Sequence, residues 1–530
     1  MSIKRVIEFT DFNWFYTKYK PLTPYGIDHK ERYHFISTKS ELEHIHLMTN
    51  KMVEFIQSDE TSIVKVEHHL SRIDRLNDLD KVEFDSADLF LIKKLLINYK
   101  AIYSYFNTTL NNCIEMRFSS LQLLEELAPD NDFSESFYLS SAFDTELDSI
   151  RKKIANLNTQ LSKIKQSTIE TLLKHYQLDF NNREFILVDK SILNTLDPSD
   201  LVIEFYDSHM LRVKPVFPNS YMDGLIQKEE HLNVEAELEK KILKLLSEKI
   251  SKEKHELKRY ISDIEQIDVL IAKARIALRY DLIKPEFDNK TLAVKNGVFL
   301  PLQLKHQELG LKYKPLTALF DSNSILLSGS NMGGKTILFK TIGFLQLLSQ
   351  MGFFVPAQKF QTQIVDEIHV LGISGLHNIE GLSSFGQEIH NLSSVITKKC
   401  PMLLLVDELA KTTNATEAKA ILYAVLKHVT LNKNITGFFS THFINMPEVE
   451  GVSKYRMKGL NKSEYLNYCE QNTEQNISKK IKLINTFMQY EVEKDDKKSN
   501  QFDALTIAGL LGLSNEILKH ANDYLETKYD

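Results

Sequence analysis

The sequence predicts a multi-domain chain of α + α/β class: a helical lever-like core with a small β insert, followed by an α/β domain on a mostly parallel sheet. Three observations predict it. Apolar residues recur at three- and four-residue spacing through most of the N-terminal half. A short block rich in β-branched and aromatic residues interrupts that pattern at about 183–218. From about 285 onward, apolar strands alternate with helical stretches, as in a sheet with crossover helices.

Bulk properties narrow the class. A length of 530 residues suits three or four domains, and 43% hydrophobic with 26% charged residues is an ordinary core-forming composition. The net charge of −6 gives no global positive field, which leaves only a local basic groove for any nucleic acid. Cys113, Cys400 and Cys469 are far apart, so neither a disulfide framework nor a cysteine zinc site is expected. The N-terminal MSIKRVIEFTDFNW lacks the apolar core of a secretion signal, and no run has the length of a membrane span. A cytoplasmic protein without membrane contact is expected.

The elements follow in order. Residues 1–130 read as a helical core domain, periodic from His29 to Ile56 and from Ser86 to Phe106. Residues 131–284 read as a second domain. It opens with a Lys-, Glu- and Gln-rich helical stretch from about Ser134 to Tyr176, expected as a partly solvated helix pair. Glu184–Val188, Leu201–Tyr206 and Leu211–Phe217 read as strands of a small antiparallel sheet, with Asp207-Ser208-His209 as a turn. From Leu225 to Leu278 there is no proline or glycine, and apolar residues from Leu232 to Ile271 keep helical steps. At ~1.5 Å per residue this helix would be about 80 Å long, either as a coiled-coil hairpin or as one unbroken lever. Residues 285–530 read as the α/β domain, in which Lys479–Asn500 is charged and partly loop.

A nucleotide site is written into this last domain. The apolar strand Ser324–Ser328 runs into Gly329, Ser330, Asn331, Met332, Gly333, Gly334, Lys335 and Thr336, and a helix follows at once. This is GxxxxGK[ST] in its strand–loop–helix context. The glycines allow backbone N–H groups to face phosphate oxygens, at a helix N-terminus that favours negative charge. Lys335 would reach the β- and γ-phosphates of ATP, and the Thr336 hydroxyl would ligate Mg²⁺. Met402–Val406 is a fully apolar strand ending in Asp407 and Glu408. Asp407 would hold the magnesium shell, and Glu408 would orient or deprotonate the attacking water. A third strand, Ile435–Ser440, ends in Thr441 and His442, where a histidine can sense the γ-phosphate.

These residues resemble the MutS family of ATPases, relatives of the ABC ATPases. Gly329 to Thr336 is similar to that family's phosphate loop, and Gly352-Phe-Phe-Val-Pro-Ala-Gln-Lys359 is similar to the segment that follows it. Gly381-Leu-Ser-Ser-Phe-Gly-Gln-Glu388 resembles the signature segment. The resemblance implies that Ser383 or Ser384 reaches the γ-phosphate held by a partner subunit. Phe502 to Ala521 resembles the helical dimerisation end. More weakly, Leu22 to Arg32 resembles the start of the family's lever core. The expected architecture is thus a helical lever/clamp core followed by a P-loop, ABC-like ATPase domain. The chain enters the lever region within about twenty residues and ends at Asp530, so neither a mismatch-reading nor a nuclease-like domain is expected. The run after Glu408, Leu-Ala-Lys-Thr-Thr-Asn-Ala-Thr-Glu417, departs from the mismatch-repair members. It is closer to MutS-related proteins associated with cobalamin-dependent aminomutases.

The resemblance implies a homodimer, or a heterodimer with a MutS-like paralogue, with two composite ATP sites coupled to a distant clamp. Two functions remain open. One is a sequence-independent clamp on duplex or branched DNA, related to mismatch repair or recombination control. Lys240, Lys241, Lys244, Lys249, Lys252, Lys254 and Lys258 would then line it. The other is an ATPase that remodels a protein client, such as an aminomutase reactivase. No adenine-stacking residue stands out, and Gly310–Pro315 is the segment to inspect.

Overall fold

The computed structural model describes residues 2–109, 115–181, 183–288, 291–329, 333–372, 383–443, 446–469, 484–495 and 503–529. The chain divides into two compact units. One is formed mainly by Met1–Glu67 and Glu265–Asp530, the other by His68–Asn111 and Glu115–Ile264. Among the described residues, no helix is long and apolar enough to cross a membrane.

The unit around His68–Ile264 is helical with one small sheet. Ile186–Asp189, Met210–Pro215 and Leu201–Phe205 form an antiparallel three-stranded sheet with Met210–Pro215 in the middle. The expected turn is present: the Asp207 carboxylate accepts from the backbone N–H of His209 and Met210 at 2.7 and 2.8 Å. The stretch from about Ser134 to Tyr176, expected as a helix pair, is instead one helix that begins only at Thr145 and runs to Tyr176. The Asp132 carboxylate accepts from the backbone and hydroxyl of Ser134, which favours a local turn over helix. Asp144 then caps the helix by accepting from Glu146 N.

The long helix is unbroken, Asn219–Arg279, with 61 residues, so the single lever and not a hairpin within it is what forms. Within this unit it pairs with Thr145–Tyr176. Arg151 donates to Glu235 and Glu239 at 2.6 Å each and to the Leu139 carbonyl. Three of the lysines expected to line a clamp are engaged in ion pairs: Lys249 with Glu126, and Lys254 and Lys258 with Asp80. Lys240, Lys241, Lys244 and Lys252 are exposed.

The other unit contains a six-stranded sheet. In spatial order its strands are Val492–Lys494, Val452–Met457, Ser324–Ser328, Ile435–Ser440, Met402–Val406 and Glu367–Leu371. All pair in parallel except Val492–Lys494. The three strands named from sequence are its centre, where burial on both faces makes each apolar run continuous. A second, mixed sheet was not foreseen, of Glu286–Phe287, Lys359–Thr362, Leu292–Gly297 and Leu316–Phe320. Its strands are short and alternate between buried and half-exposed, a signal that brief helical segments blur.

The helix Lys335–Gln350 lies at the centre of this unit's core. Leu338, Phe339, Ile342, Phe344, Leu345, Leu347 and Leu348 are all buried. The N-terminal segments cover it, with Phe12 and Phe15 packing ring to ring on Phe344. The helically periodic stretch from His29 to Ile56 spans the end of one helix, Pro24–Glu31, and most of a second, Lys39–Ser58. Between them Ile36 exchanges hydrogen bonds with Gln350, which holds the chain extended. The Leu22-to-Gly26 segment docks on Asp268, whose carboxylate accepts from Leu22 N, Thr23 N and the Thr23 hydroxyl. A side chain at Gly26 would overlap that carboxylate.

His46 sits fully buried, its Nε2 2.9 Å from the carbonyl oxygen of Ser349. Burial, with Lys273 and Lys284 adding to it, lowers its pKa from 6.5 to about 4 against the opposing bond to Ser349. The folded state therefore binds this proton less readily than the unfolded one. Its contribution is present above pH 6.5 and lost as pH falls toward 4. His46→Gln keeps a donor and should flatten the fall of melting temperature across that window. An unchanged pH slope in the variant would rule out His46 as the titrating group.

Candidate functional site

Three adjacent parallel strands deliver the site residues to one edge of the sheet. Ser324–Ser328 ends at Gly329, Ile435–Ser440 ends at Thr441, and Met402–Val406 ends at Asp407. The register places Ser440 opposite Leu327 and Val406 opposite Phe439, so these carboxyl ends are level. Ligands of open α/β sheets collect at such an edge.

The loop closes on glycine geometry. Gly329 and Gly334 have φ of 128° and 95°, a region that side chains disfavour. Gly334 is the residue before the helix, and no side chain caps its first turn. A helix N-terminus of this kind carries partial positive charge and favours an anion. Ser330, Asn331 and Met332 lie outside the described residues; Gly333 is buried.

Lys335 is 3% exposed, and its Nζ donates to the Gly329 carbonyl at 2.5 Å across the loop. The Glu408 carboxylate lies 3.8 Å from the same ammonium. Burial pulls the Lys335 pKa down, while Glu408 and Asp407 oppose the shift. A buried ammonium facing two carboxylates suits a polyanion drawn in with a cation.

Thr336 and Asp407 are brought together across the sheet edge, the hydroxyl donating to the carboxylate at 2.7 Å. The other oxygen of Asp407 accepts from the Ser440 hydroxyl at 2.6 Å, and Ser440 in turn accepts from Glu408 N at 3.0 Å. Ser440 is thus the hinge of the site. Sequence reasoning quoted it only as a neighbour of His442. A hydroxyl and one carboxylate are a suitable donor pair for Mg²⁺, which takes few protein ligands and completes its shell with phosphate oxygens and water. Among the described residues no cluster of three or more His, Cys, Asp or Glu side chains is arranged for a metal. His442 Nδ1 lies 3.7 Å from Glu408, and its side chain is half exposed.

The turn after the acid strand is strained. Glu408 and Ala410 both take positive φ, 59° and 58°, at a cost of about 1–2 kcal/mol each. Gly372 is confined to glycine here because a Cβ would overlap the Asp407 carbonyl. Ser383 and Ser384 are exposed at the N-terminus of the helix Ser384–Ile396, and the Ser383 hydroxyl accepts from Gly386 N at 3.2 Å. They are not among the residues bonded to Lys335, Thr336 or Asp407.

Beside the loop is a cavity of about 340 Å³. His306, Tyr313, Gly334, Thr336, Met457 and Tyr490 are among its walls, and Tyr490 packs on Gly334. The cavity shares Gly334 and Thr336 with the Gly329–Thr336 loop. Tyr313 comes from the segment flagged for inspection. Met457, at the end of the strand Val452–Met457, and Tyr490, in the segment before Val492–Lys494, were not found from sequence, because neither carries a motif.

Comparison with known proteins gives a family match and distant relatives. The family model for MutS domain V matches residues 325–527. The DNA mismatch repair protein MutS of Desulforamulus reducens is 26% identical over 368 residues, covering 67% of this chain and 40% of that protein. The protein of the same name from Clostridium botulinum strain Okra is 26% identical over 381 residues, covering 69% and 40%. Endonuclease MutS2 of Carboxydothermus hydrogenoformans is 31% identical over 212 residues, covering 39% and 26%. The chain thus spans 40% or less of the length of these relatives.

Proposed function

We propose that this chain, which belongs to the MutS family, binds ATP with magnesium at the Gly329–Thr336 loop and hydrolyses it. The observation that carries the reading is the chain of bonds from Thr336 through Asp407 to Ser440 and Glu408, with Lys335 beside it. Residues 285–530 act as the ATPase domain, and residues 1–130 and 131–284 as the helical core and the clamp with its β insert.

Lys335 and the N–H groups of the first helical turn hold the β- and γ-phosphates. Thr336 and Asp407 would hold the metal, with Ser440 fixing the Asp407 carboxylate, and Mg²⁺ held there would supply neutralisation of charge on the phosphate oxygens. Glu408 takes a proton from water as the water oxygen bonds to the γ-phosphorus. The bond from that phosphorus to the bridging oxygen breaks, and ADP leaves with phosphate as the second product. His442, near Glu408, senses whether the γ-phosphate is present.

A dimer fits the C-terminal helices Asp503–Leu511 and Asn515–Tyr529, where Leu511, Leu513, Ile517 and Tyr524 are exposed. The exposed Ser383 and Ser384 are then free to meet the partner's nucleotide and complete a composite site. The names of the relatives favour a DNA clamp, served by the exposed Lys240, Lys241, Lys244 and Lys252. The ion pairs of Lys249, Lys254 and Lys258 favour a second reading, a protein client.

The ATPase rate with and without duplex and branched DNA, at low and physiological salt, separates them. DNA binding that changes the rate and weakens steeply with salt is expected for the clamp. A robust rate indifferent to DNA would overturn it in favour of the protein client.

A further inference from the structure

We propose that Glu388 is a positioning residue for Glu408, linking the helix that begins at Ser383 to the strained turn that carries the general base. The proposal rests on the ATPase reading above. Glu388 lies on the helix Ser384–Ile396 and is half-buried. Its carboxylate accepts from Ala410 N at 2.9 Å. Ala410 is buried and holds a positive φ, as Glu408 does two residues earlier.

Two left-handed non-glycine residues so close together persist only where the surroundings over-determine them. Four restraints do so here. Ser440 Oγ accepts from Glu408 N on one side, and Leu409 is buried in the apolar core. Glu388 accepts from Ala410 N on the other side, and Lys411 donates to the Gly372 carbonyl. Of these, only Glu388 belongs to the helix whose exposed start carries Ser383 and Ser384. Remove its acceptor, and the Ala410 amide loses its partner while the turn loses a restraint against relaxing to ordinary φ. The Glu408 carboxylate would then shift relative to Lys335 and His442.

The same bond gives the helix a second role. A load on Ser383, such as a partner's phosphate, reaches Glu408 through little more than one helical turn. Each site could then feel the occupancy of the other through Glu388, without any residue touching both nucleotides.

The test compares Glu388→Gln, which keeps an oxygen acceptor, with Glu388→Ala, which does not. Steady-state kcat and KM are measured on the full chain, with ATP affinity measured separately by a fluorescent ATP analogue. Glu388→Ala should lower kcat about 10- to 100-fold, the usual penalty for a misplaced reacting group, with affinity within about twofold of the parent. Glu388→Gln should keep at least about half of the parent kcat, since its amide oxygen can accept from Ala410 N. A kcat loss in Glu388→Gln as large as in Glu388→Ala would overturn the proposal. So would an unchanged kcat in Glu388→Ala. Should the alanine variant fail to fold, Glu388→Met, which keeps the bulk of the side chain without a strong acceptor for Ala410 N, takes its place with the same expected and overturning results. A parent chain that neither binds nor turns over ATP would instead sink the ATPase reading.

Discussion

Lys335→Ala is expected to abolish ATP turnover, with a rate below about 1% of the parent, equivalent to more than about 2.7 kcal/mol of lost stabilisation. The reason lies in where the ammonium stands. It is buried, tied to the Gly329 carbonyl across the loop, and 3.8 Å from Glu408. Charge-assisted bonds to phosphate in such a place are stronger than at a surface, and alanine cannot replace them. Alanine also leaves Glu408 and Asp407 facing the phosphates without the nearest compensating charge. Phosphate release and titration with a fluorescent ATP analogue measure both losses. The helix should survive, since alanine is the best helix former and Leu338, Phe339 and Ile342 keep their packing. Normal turnover in this variant would refute the phosphate-loop assignment.

Glu408→Gln is expected to separate binding from chemistry. Glutamine keeps the size of the side chain and removes its ability to take a proton from water. ATP affinity should stay close to the parent value, because Lys335, Thr336 and Asp407 are intact. The hydrolysis rate should fall by about 10²–10⁴, the usual contribution of a positioned general base. With ATP retained, the variant should also accumulate as a tight dimer, readable as an ATP-dependent shift in size-exclusion chromatography. Normal turnover in Glu408→Gln would show that another group takes the proton. His442, 3.7 Å from Glu408, would then be the first to test.

How legible the site was depended on whether its residues carried local signals. Ser324–Ser328, Met402–Val406 and Ile435–Ser440 are buried on both faces, so their apolar runs were readable as strands. The strand–loop–helix turn from Ser324 to Gln350 was readable because glycines at Gly329 and Gly334 allow the positive φ the turn adopts. The Asp207 turn was readable for the same kind of reason. What escaped was long-range. Tyr490 reaches the cavity from more than a hundred residues beyond Gly334, and nothing near it in sequence announces that. The bond from Ala410 N to Glu388 joins two segments whose individual patterns are only helix and turn. The break between Glu31 and Lys39 escaped because periodic residues on both sides hid the extended stretch that Gln350 holds. The β insert was visible as composition, but the order of its strands was not.

The most direct measurement is phosphate release by the purified chain with ATP, in magnesium and in EDTA, with Lys335→Ala run beside it. Turnover that requires magnesium and vanishes in the variant is the expected result. Absence of turnover together with absence of ATP binding, or an equal rate in Lys335→Ala, would contradict an ATPase site at Lys335, Thr336, Asp407 and Glu408.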